Sequence, residues 1–310
     1  MRAVRATGPQ VEVVDVDEPE GSGTLVRIAA ASICASDFTY IALGSQYVLG
    51  HELAGITEDG RAVAIESIFA CGECEYCAEG SSNLCASLGE RVLGLSMPGG
   101  MSEWFRVPEQ HLVPVPDGLD VGDASLCEPG SVAWHSIQAC GVGTDTRVAV
   151  VGGGAIGLLA AVSAQQLGAP EVALDARHPH QHEAREKLGV AEPTGGYDVV
   201  VEAAGSESGI HRAVELARPR GTVVLLGLYG PGTEFPFIAA LSKELIVRPS
   251  VGFCRGQHGH DYAAVAALFA ARPEIPSTLV THRFPIDDAP EAFRVSRDQS
   301  QRPLRIVVAP

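Results

Sequence analysis

The segment that most constrains the fold is Val148 to Ala164, VAVVGGGAIGLLAAVSA. Its three central glycines would weaken a membrane helix, and the run falls short of the roughly 20 residues a span needs. A buried strand, a tight turn and a buried helix fit the same residues. Gly152, Gly154 and Gly157 then read G-x-G-x-x-G at a strand-to-helix turn, with Ala155 and Ile156 opening the helix. Glycines let the chain turn sharply and bring backbone N–H groups up to a pyrophosphate, whose charge meets the positive end of the helix dipole. Asp175 follows the next strand, near the roughly 20-residue offset expected of an acid that accepts hydrogen bonds from an adenosine ribose. The pattern predicts a dinucleotide site, with a glycine turn that merely packs helix on sheet as the alternative. A carboxylate at Asp175 repels the extra phosphate of NADP and favours NAD, while Arg177 and His178 behind it pull the other way.

The surrounding texture predicts an alternation of strand and helix from about residue 125. Strand-like Arg147 to Val151, Glu171 to Leu174, Asp198 to Glu202 and Thr222 to Leu226 alternate with helix-like Ala155 to Leu167 and His182 to Leu188. That rhythm implies βαβ units and a parallel sheet. Gly227, just past the last of these strands, is grouped with the cofactor residues. Before residue 125, short apolar runs such as Thr24 to Ile28 and Arg61 to Ile65 lie between Gly, Pro, Asp and Ser, and predict small antiparallel sheets. The fold class expected is α/β together with β.

A length of 310 residues, 46% of them hydrophobic, supports more than one packed domain. The formal net charge of -16, with 22 basic residues, argues against nucleic acid and anionic membranes as partners. The first residues alternate like a strand and lack a signal peptide's apolar stretch, so a cytoplasmic protein is expected. In that setting eight cysteines point to metal or catalysis before disulfides. Cys71, Cys74, Cys77 and Cys85 read C-x-x-C-x-x-C-x7-C, and four thiolates so spaced can enclose a tetrahedral zinc of the structural kind. An iron–sulfur cluster or a pair of disulfides are the alternatives. Cys34, His51, Glu52 and Glu128 are dispersed, and singly each reads as a buried or solvated residue. Together they offer a thiolate, an imidazole and carboxylates, a set that binds zinc and leaves room for a substrate oxygen.

Taken in order, SICASD around Cys34, LGHELAG around His51, the four-cysteine loop, LCEPGS around Glu128, the glycine fingerprint and the late THRFPIDDAPEAF make the chain resemble the zinc-containing medium-chain alcohol dehydrogenases. The resemblance implies a GroES-like β-rich catalytic domain over residues 1–129, a doubly wound Rossmann NAD-binding domain over 130–252, and a segment 253–310 that returns to the first. It implies two zinc ions per chain. Cys34, His51 and Glu128 would ligate the catalytic one, Glu52 would be a mobile carboxylate beside it, and Cys71, Cys74, Cys77 and Cys85 would hold the structural one. Glu128 stands where polyol dehydrogenases carry Glu and the alcohol dehydrogenases proper carry Cys, which points to the polyol branch. Ser36 would relay a proton and Asp37 would orient His51. Arg305 matches a position where a cation meets the pyrophosphate, with a surface arginine as the alternative.

These features lead to an expected hydride transfer between a secondary alcohol or polyol and NAD, with the ketone as substrate in reverse. An NADP-dependent carbonyl reductase and a non-catalytic dinucleotide-binding protein are the rival readings. A homodimer or homotetramer is expected, through apolar strands near Val223 to Leu228 and Leu245 to Val247. The chain departs from the family in short connections at Thr57 to Gly60 and at GVAEPTGG after Leu188, and in Thr39 and Tyr40, where relatives complete the relay with histidine. Phe38, Tyr40, Trp104 and Phe253 are offered as pocket walls. His135, His178, His180, His211, His258 and His260 fit no ligand pattern and are expected at the surface.

Overall fold

Apolar alternation and turn residues break the first half of the chain into short strands. The computed structural model describes residues 1–256 and 259–310, which divide into two compact units, Met1–Glu128 with Cys254–Pro310, and Pro129–Phe253. The first unit begins with an antiparallel hairpin of β1 (Arg2–Thr7) and β2 (Gln10–Asp15). Then come β3 (Thr24–Ser32), α1 (Ala35–Ala42), β4 (Glu52–Thr57) and β5 (Ala62–Ile65). The shortened β4–β5 connection closes as a tight turn, with the Arg61 N–H donating to Thr57 Oγ1 at 2.9 Å. A short α2 (Glu75–Ala78) lies inside the cysteine loop, and β6 (Trp104–Val107) and β7 (Leu112–Pro114) pair antiparallel with β3 and β5.

The helix α3 (Cys127–Gln138) leads into strict alternation: β8 (Arg147–Val151), α4 (Ala155–Gln166), β9 (Glu171–Asp175), α5 (Pro179–Lys187), β10 (Tyr197–Glu202), α6 (Glu207–Leu216), β11 (Ala217–Leu225), α7 (Phe237–Ser242) and β12 (Ile246–Pro249). Among the described residues these strands form one parallel sheet in the order β12-β11-β10-β8-β9. Helix α4 is apolar on every side because it is buried, Leu158 and Leu159 being at most 1% exposed. Each such leucine contributes about 1.5–3 kcal/mol by leaving water. The order reverses at β8, the switch point where ligands collect in open α/β sheets.

One sequence expectation is met here and another changes. After α5 the segment GVAEPTGG contributes an isolated bridge, Ala191 to Ala173, so β9 is left as the sheet edge. The Val223 to Leu228 run cannot extend the sheet to a second copy, because β11 is flanked by β10 and β12; the free edge on that side is β12.

The chain then returns to the first unit through β13 (Arg255–Gly256), β14 (Gly259–His260), α8 (Asp261–Ala271), α9 (Glu274–Leu279), β15 (Val280–Pro285), α10 (Ala289–Ser296) and β16 (Arg305–Ala309). The last strand pairs antiparallel with β3, giving the order β15-β16-β3-β4-β5-β7. The core of this unit therefore draws on both ends of the chain, with Ile28, Leu53 and Ile65 packed among Phe293, Ile306 and Val308. Among the described residues no helix is long and apolar enough to cross a membrane.

Candidate functional site

Cys34 stands at the start of α1 because Asp37 caps it, Oδ2 accepting the Cys34 N–H at 2.9 Å. The other oxygen of Asp37 lies 3.2 Å from His51 Nδ1, though outside hydrogen-bonding geometry. His51 follows Gly50, whose φ of +91° suits glycine and whose missing Cβ would lie 2.7 Å from that of Met101. The Ser36 hydroxyl reaches His51 Nε2 at 3.3 Å. Sulfur of Cys34, ring nitrogen of His51 and carboxylate oxygen of Glu52 all lie within 4.8 Å of one another. Helix start, loop and strand start are thus drawn to one point.

Glu128 departs from expectation, since it stands outside that close set. Its Oε1 is held by the Ser67 hydroxyl at 2.8 Å, while Glu52, expected to be the mobile carboxylate, sits among the donors. Glu128 remains near enough to feel the charges of His51 and Arg305. Arg305 is also corrected. It is neither a surface residue nor free for a pyrophosphate, because Nη1 is bound to Glu52 Oε1 and to the Ile33 carbonyl, each at 2.9 Å. Burial of a guanidinium requires such a partner.

Protonation follows from these contacts. Burial opposes charge on His51, but Asp37 and Cys34 more than offset it and hold the imidazole well above its ordinary value. Burial pushes the Glu52 carboxyl up to about 7 against the pull of Arg305. Burial likewise raises Glu128, against His51 and the Ser67 hydroxyl. The neighbouring Cys127 is pushed up to about 12 by burial alone and stays a thiol. Glu52 Oε2 is buried with no hydrogen-bond partner among the described residues, whereas His51 Nδ1 and Asp37 Oδ1 face each other at 3.2 Å. Soft sulfur, borderline nitrogen and hard oxygen, one oxygen of them unsatisfied, fit a zinc ion.

The sulfurs of Cys71, Cys74, Cys77 and Cys85 also lie within 4.8 Å of one another, and among the described residues every cysteine is free. Backbone N–H groups turn toward them: Cys71 N–H meets Cys85 Sγ at 3.3 Å, and that of Ala86 helps draw Cys74 down to about 6. Burial pushes Cys77 up to about 12. Four sulfurs with N–H donors to stabilise thiolate charge fit a closed metal site.

In the second unit the glycine turn is built as its motif requires. Gly152 has φ of +113°, and a Cβ on Gly157 would fall 1.8 Å from the Gly152 carbonyl oxygen. A cavity of about 510 Å³ is lined by Gly152, Gly154, Asp175, Arg177, Ser208 and Arg212, among others. Ala155, Ile156 and Gly157 do not line it, Ala155 and Gly157 being buried at the start of α4, and Gly227 packs against Gly205 and Glu202. Arg212 went unread in the sequence. It lies on α6, 37 positions from Asp175, and no linear pattern ties the two; yet its Nε donates to Asp175 Oδ2 at 2.6 Å.

Other expectations sort plainly. Tyr40 lies with its ring 5.6 Å from that of His51, and burial raises its hydroxyl, with His51 and Ser36 drawing it back. Phe38 packs on Phe293, Phe253 is buried, and Trp104 lines a cavity of about 390 Å³ that none of the three metal donors lines. His211 is exposed, but His180 is buried, His178 and His135 are half-buried, and His260 lies 3.5 Å from the buried Glu66; His258 lies outside the described residues. Glu66 also accepts from His111 Nδ1 at 2.8 Å and Arg255 Nη2 at 2.7 Å, a network the sequence did not announce.

Residues 21–117 match the family described as the alcohol dehydrogenase GroES-like domain, and residues 124–305 match the glucose dehydrogenase C-terminus. D-xylulose reductase A of Aspergillus oryzae is 30% identical, with 87% of this chain and 85% of that protein covered. The L-idonate 5-dehydrogenase (NAD(P)(+)) of Escherichia coli is 29% identical, with 90% of each covered. A crystal structure of L-idonate 5-dehydrogenase from Escherichia coli superposes with a TM-score of 0.87 at 28% identity, covering 99% of this chain and 97% of that one. A putative zinc-binding dehydrogenase from Sinorhizobium meliloti, bound to NADP, does so at 0.87 and 28%, covering 100% and 99%.

Proposed function

Because the chain belongs to the zinc-containing medium-chain alcohol dehydrogenases of the polyol dehydrogenase-like kind, we propose that it oxidises a secondary alcohol or polyol, or reduces the ketone, at Cys34, His51, Glu52 and Glu128. The observation that carries the reading is the set of three unlike donors, half-buried Cys34 with buried His51 and Glu52, drawn within 4.8 Å of one another, with Glu52 Oε2 left unsatisfied among them. We propose zinc there and a second zinc on Cys71, Cys74, Cys77 and Cys85. Residues 1–129 with 253–310 form the catalytic domain of this reading, and 130–252 bind NAD(P).

Zinc supplies a Lewis acid charge that makes a hydroxyl more acidic or a ketone more polar. NAD(P) supplies the hydride acceptor or donor. The protein supplies placement and charge. A Cys34 thiolate with the Glu52, Glu128 and Asp37 carboxylates would face a divalent ion and the Arg305 guanidinium, so the buried charges of the two signs nearly offset. Asp37 lies at His51 Nδ1 and Ser36 at Nε2, so that Nε2 would be the nitrogen offered to the ion. The Ser36 hydroxyl takes the substrate proton and passes it on, and with no histidine at Thr39 or Tyr40 the proton leaves to solvent. Ser67 holds Glu128 in reserve beside the close set.

A homo-oligomer is part of this proposal. The edge strand β12 is exposed along its length, and Phe237, Ile238 and Leu241 of α7 each expose more than 70% of their surface beside it. A cytosolic setting, where the cysteines stay reduced, also belongs to it. The test is a screen of secondary alcohols and polyols, following absorbance of the reduced nicotinamide, before and after chelation, with zinc counted per chain. Turnover that chelation abolishes supports the reading. Turnover indifferent to metal, or none in zinc-replete protein across the screen, sinks it.

A further inference from the structure

The acid at the ribose end of the cradle is not free. Asp175 Oδ2 accepts from Arg212 Nε at 2.6 Å, and the guanidinium comes from α6 instead of the turn that follows Asp175. A second cation, Arg177, holds the Ser208 hydroxyl through Nη2 at 3.3 Å. Both arginines, Ser206, Ser208 and His178 line the same cavity.

An unpaired carboxylate here selects NAD in two ways: it accepts the ribose hydroxyls and it repels a 2′-phosphate. Arg212 takes one of its oxygens and cancels its charge. Counting formal charges over Asp175, Arg212, Arg177 and Glu215, the four sum to zero, so the pocket carries no net negative charge to repel a phosphate. Glu215 also touches Arg212, Oε2 to Nη1 at 2.9 Å, but its side chain is 70% exposed and is screened by water. A phosphate monoester carries nearly two negative charges at neutral pH and accepts forked hydrogen bonds from arginine.

We infer that Arg212 sets the cofactor choice of this protein, pairing with Asp175 so that NADP is bound at least as readily as NAD, its 2′-phosphate received by Arg212, Arg177 and Ser208. The inference rests on the reading of the glycine cradle as a dinucleotide site. It assigns specificity to a residue on the far helix, reached through the fold and not through the motif.

The test is binding, measured on the zinc-loaded protein by the fluorescence of NADH and NADPH, with 2′,5′-ADP and 5′-AMP as competitors. The wild type is expected to bind NADPH as tightly as NADH or tighter, and 2′,5′-ADP is expected to compete better than 5′-AMP. Arg212→Leu removes one charge-assisted partner, so NADPH weakens by about tenfold to a hundredfold while NADH holds within about threefold or tightens. Asp175→Asn is expected to shift preference the opposite way, toward NADPH. Wild-type protein that binds NADH more than about tenfold tighter than NADPH overturns the inference and leaves the dinucleotide reading intact. Equal weakening of both cofactors by Arg212→Leu overturns it too, since the arginine would then be structural. If neither reduced cofactor binds, the dinucleotide reading itself falls, an outcome distinct from a wrong preference.

Discussion

The two donor clusters of the first unit make an instructive pair. In the cysteine loop, four sulfurs come from fifteen consecutive residues, and all but Cys85 are partly exposed. In the inner set, Cys34, His51 and Glu52 come from different elements, and His51 and Glu52 are buried to 4% and 0% exposure. Like donors in fourfold number close a coordination shell; three unlike donors leave a place open. The loop spends its chemistry on holding itself together. The inner set keeps an unsatisfied carboxylate oxygen, Glu52 Oε2, in a buried place, which is costly unless something binds there.

Several substitutions probe that contrast. The largest effect is expected from Cys34→Ser, which removes a donor from the open set: turnover falls by at least about a thousandfold, the equivalent of some 4 kcal/mol, while zinc at the loop remains. Steady-state rates with metal counting check this, and unchanged turnover breaks the distinction. Arg305→Leu comes next, because it leaves the buried Glu52 without its cation, drives its carboxyl further toward the neutral form and strips the Ile33 carbonyl of its donor. Unfolding of the metal-depleted variant is expected to lose about 3–5 kcal/mol, read by denaturant titration.

Glu66→Gln sharpens the comparison on the loop's side, since Glu66 and Arg255 tie the returning hairpin to the sheet, and Gly256 packs against Gly80 of the cysteine loop. A loss of about 1–3 kcal/mol is expected at neutral pH. Burial opposes the Glu66 charge, but His111 and Arg255 outweigh it and lower the carboxyl below its ordinary 4.5. A group so depressed stabilises the fold above its unfolded pKa and ceases to as pH falls through the folded one. The difference between wild type and Glu66→Gln is therefore expected to be full at pH 6–7 and to shrink below pH 4.5. A pH-independent difference argues for packing alone. The smallest effect on turnover belongs to Cys85→Ser, which should release one zinc and expose the loop to protease yet keep turnover within about tenfold.

Legibility followed distance along the chain. Three parallel strands were readable almost to the residue, Arg147 to Val151 being β8 as expected and the expected β9 and β10 each lacking one residue, whereas β11 begins at Ala217, five residues before the expected Thr222. Helix α5 begins at Pro179, earlier than the expected His182, because its first turn is polar and carries no apolar period. Both donor clusters were legible as sets, since metal ligands keep their residue types. Their arrangement was not: Ser67 holds Glu128 aside, and Glu52 takes the nearer place. The partners of charged residues were the least readable. Arg305 to Glu52 spans 253 positions and Arg212 to Asp175 spans 37, and a guanidinium carries no mark of which carboxylate it will meet.

What the sequence determined by itself is local and repetitive: the glycine turn, the cysteine spacing, the periods that choose strand or helix, and the donor types. These depend on backbone sterics and ligand chemistry within a few residues. The tertiary structure alone decided which charges neutralise which, and so whether Asp175 repels a phosphate and whether Glu52 can be buried charged. Electrostatic pairing acts through space at a few ångströms, between residues that only the folded sheet order brings together.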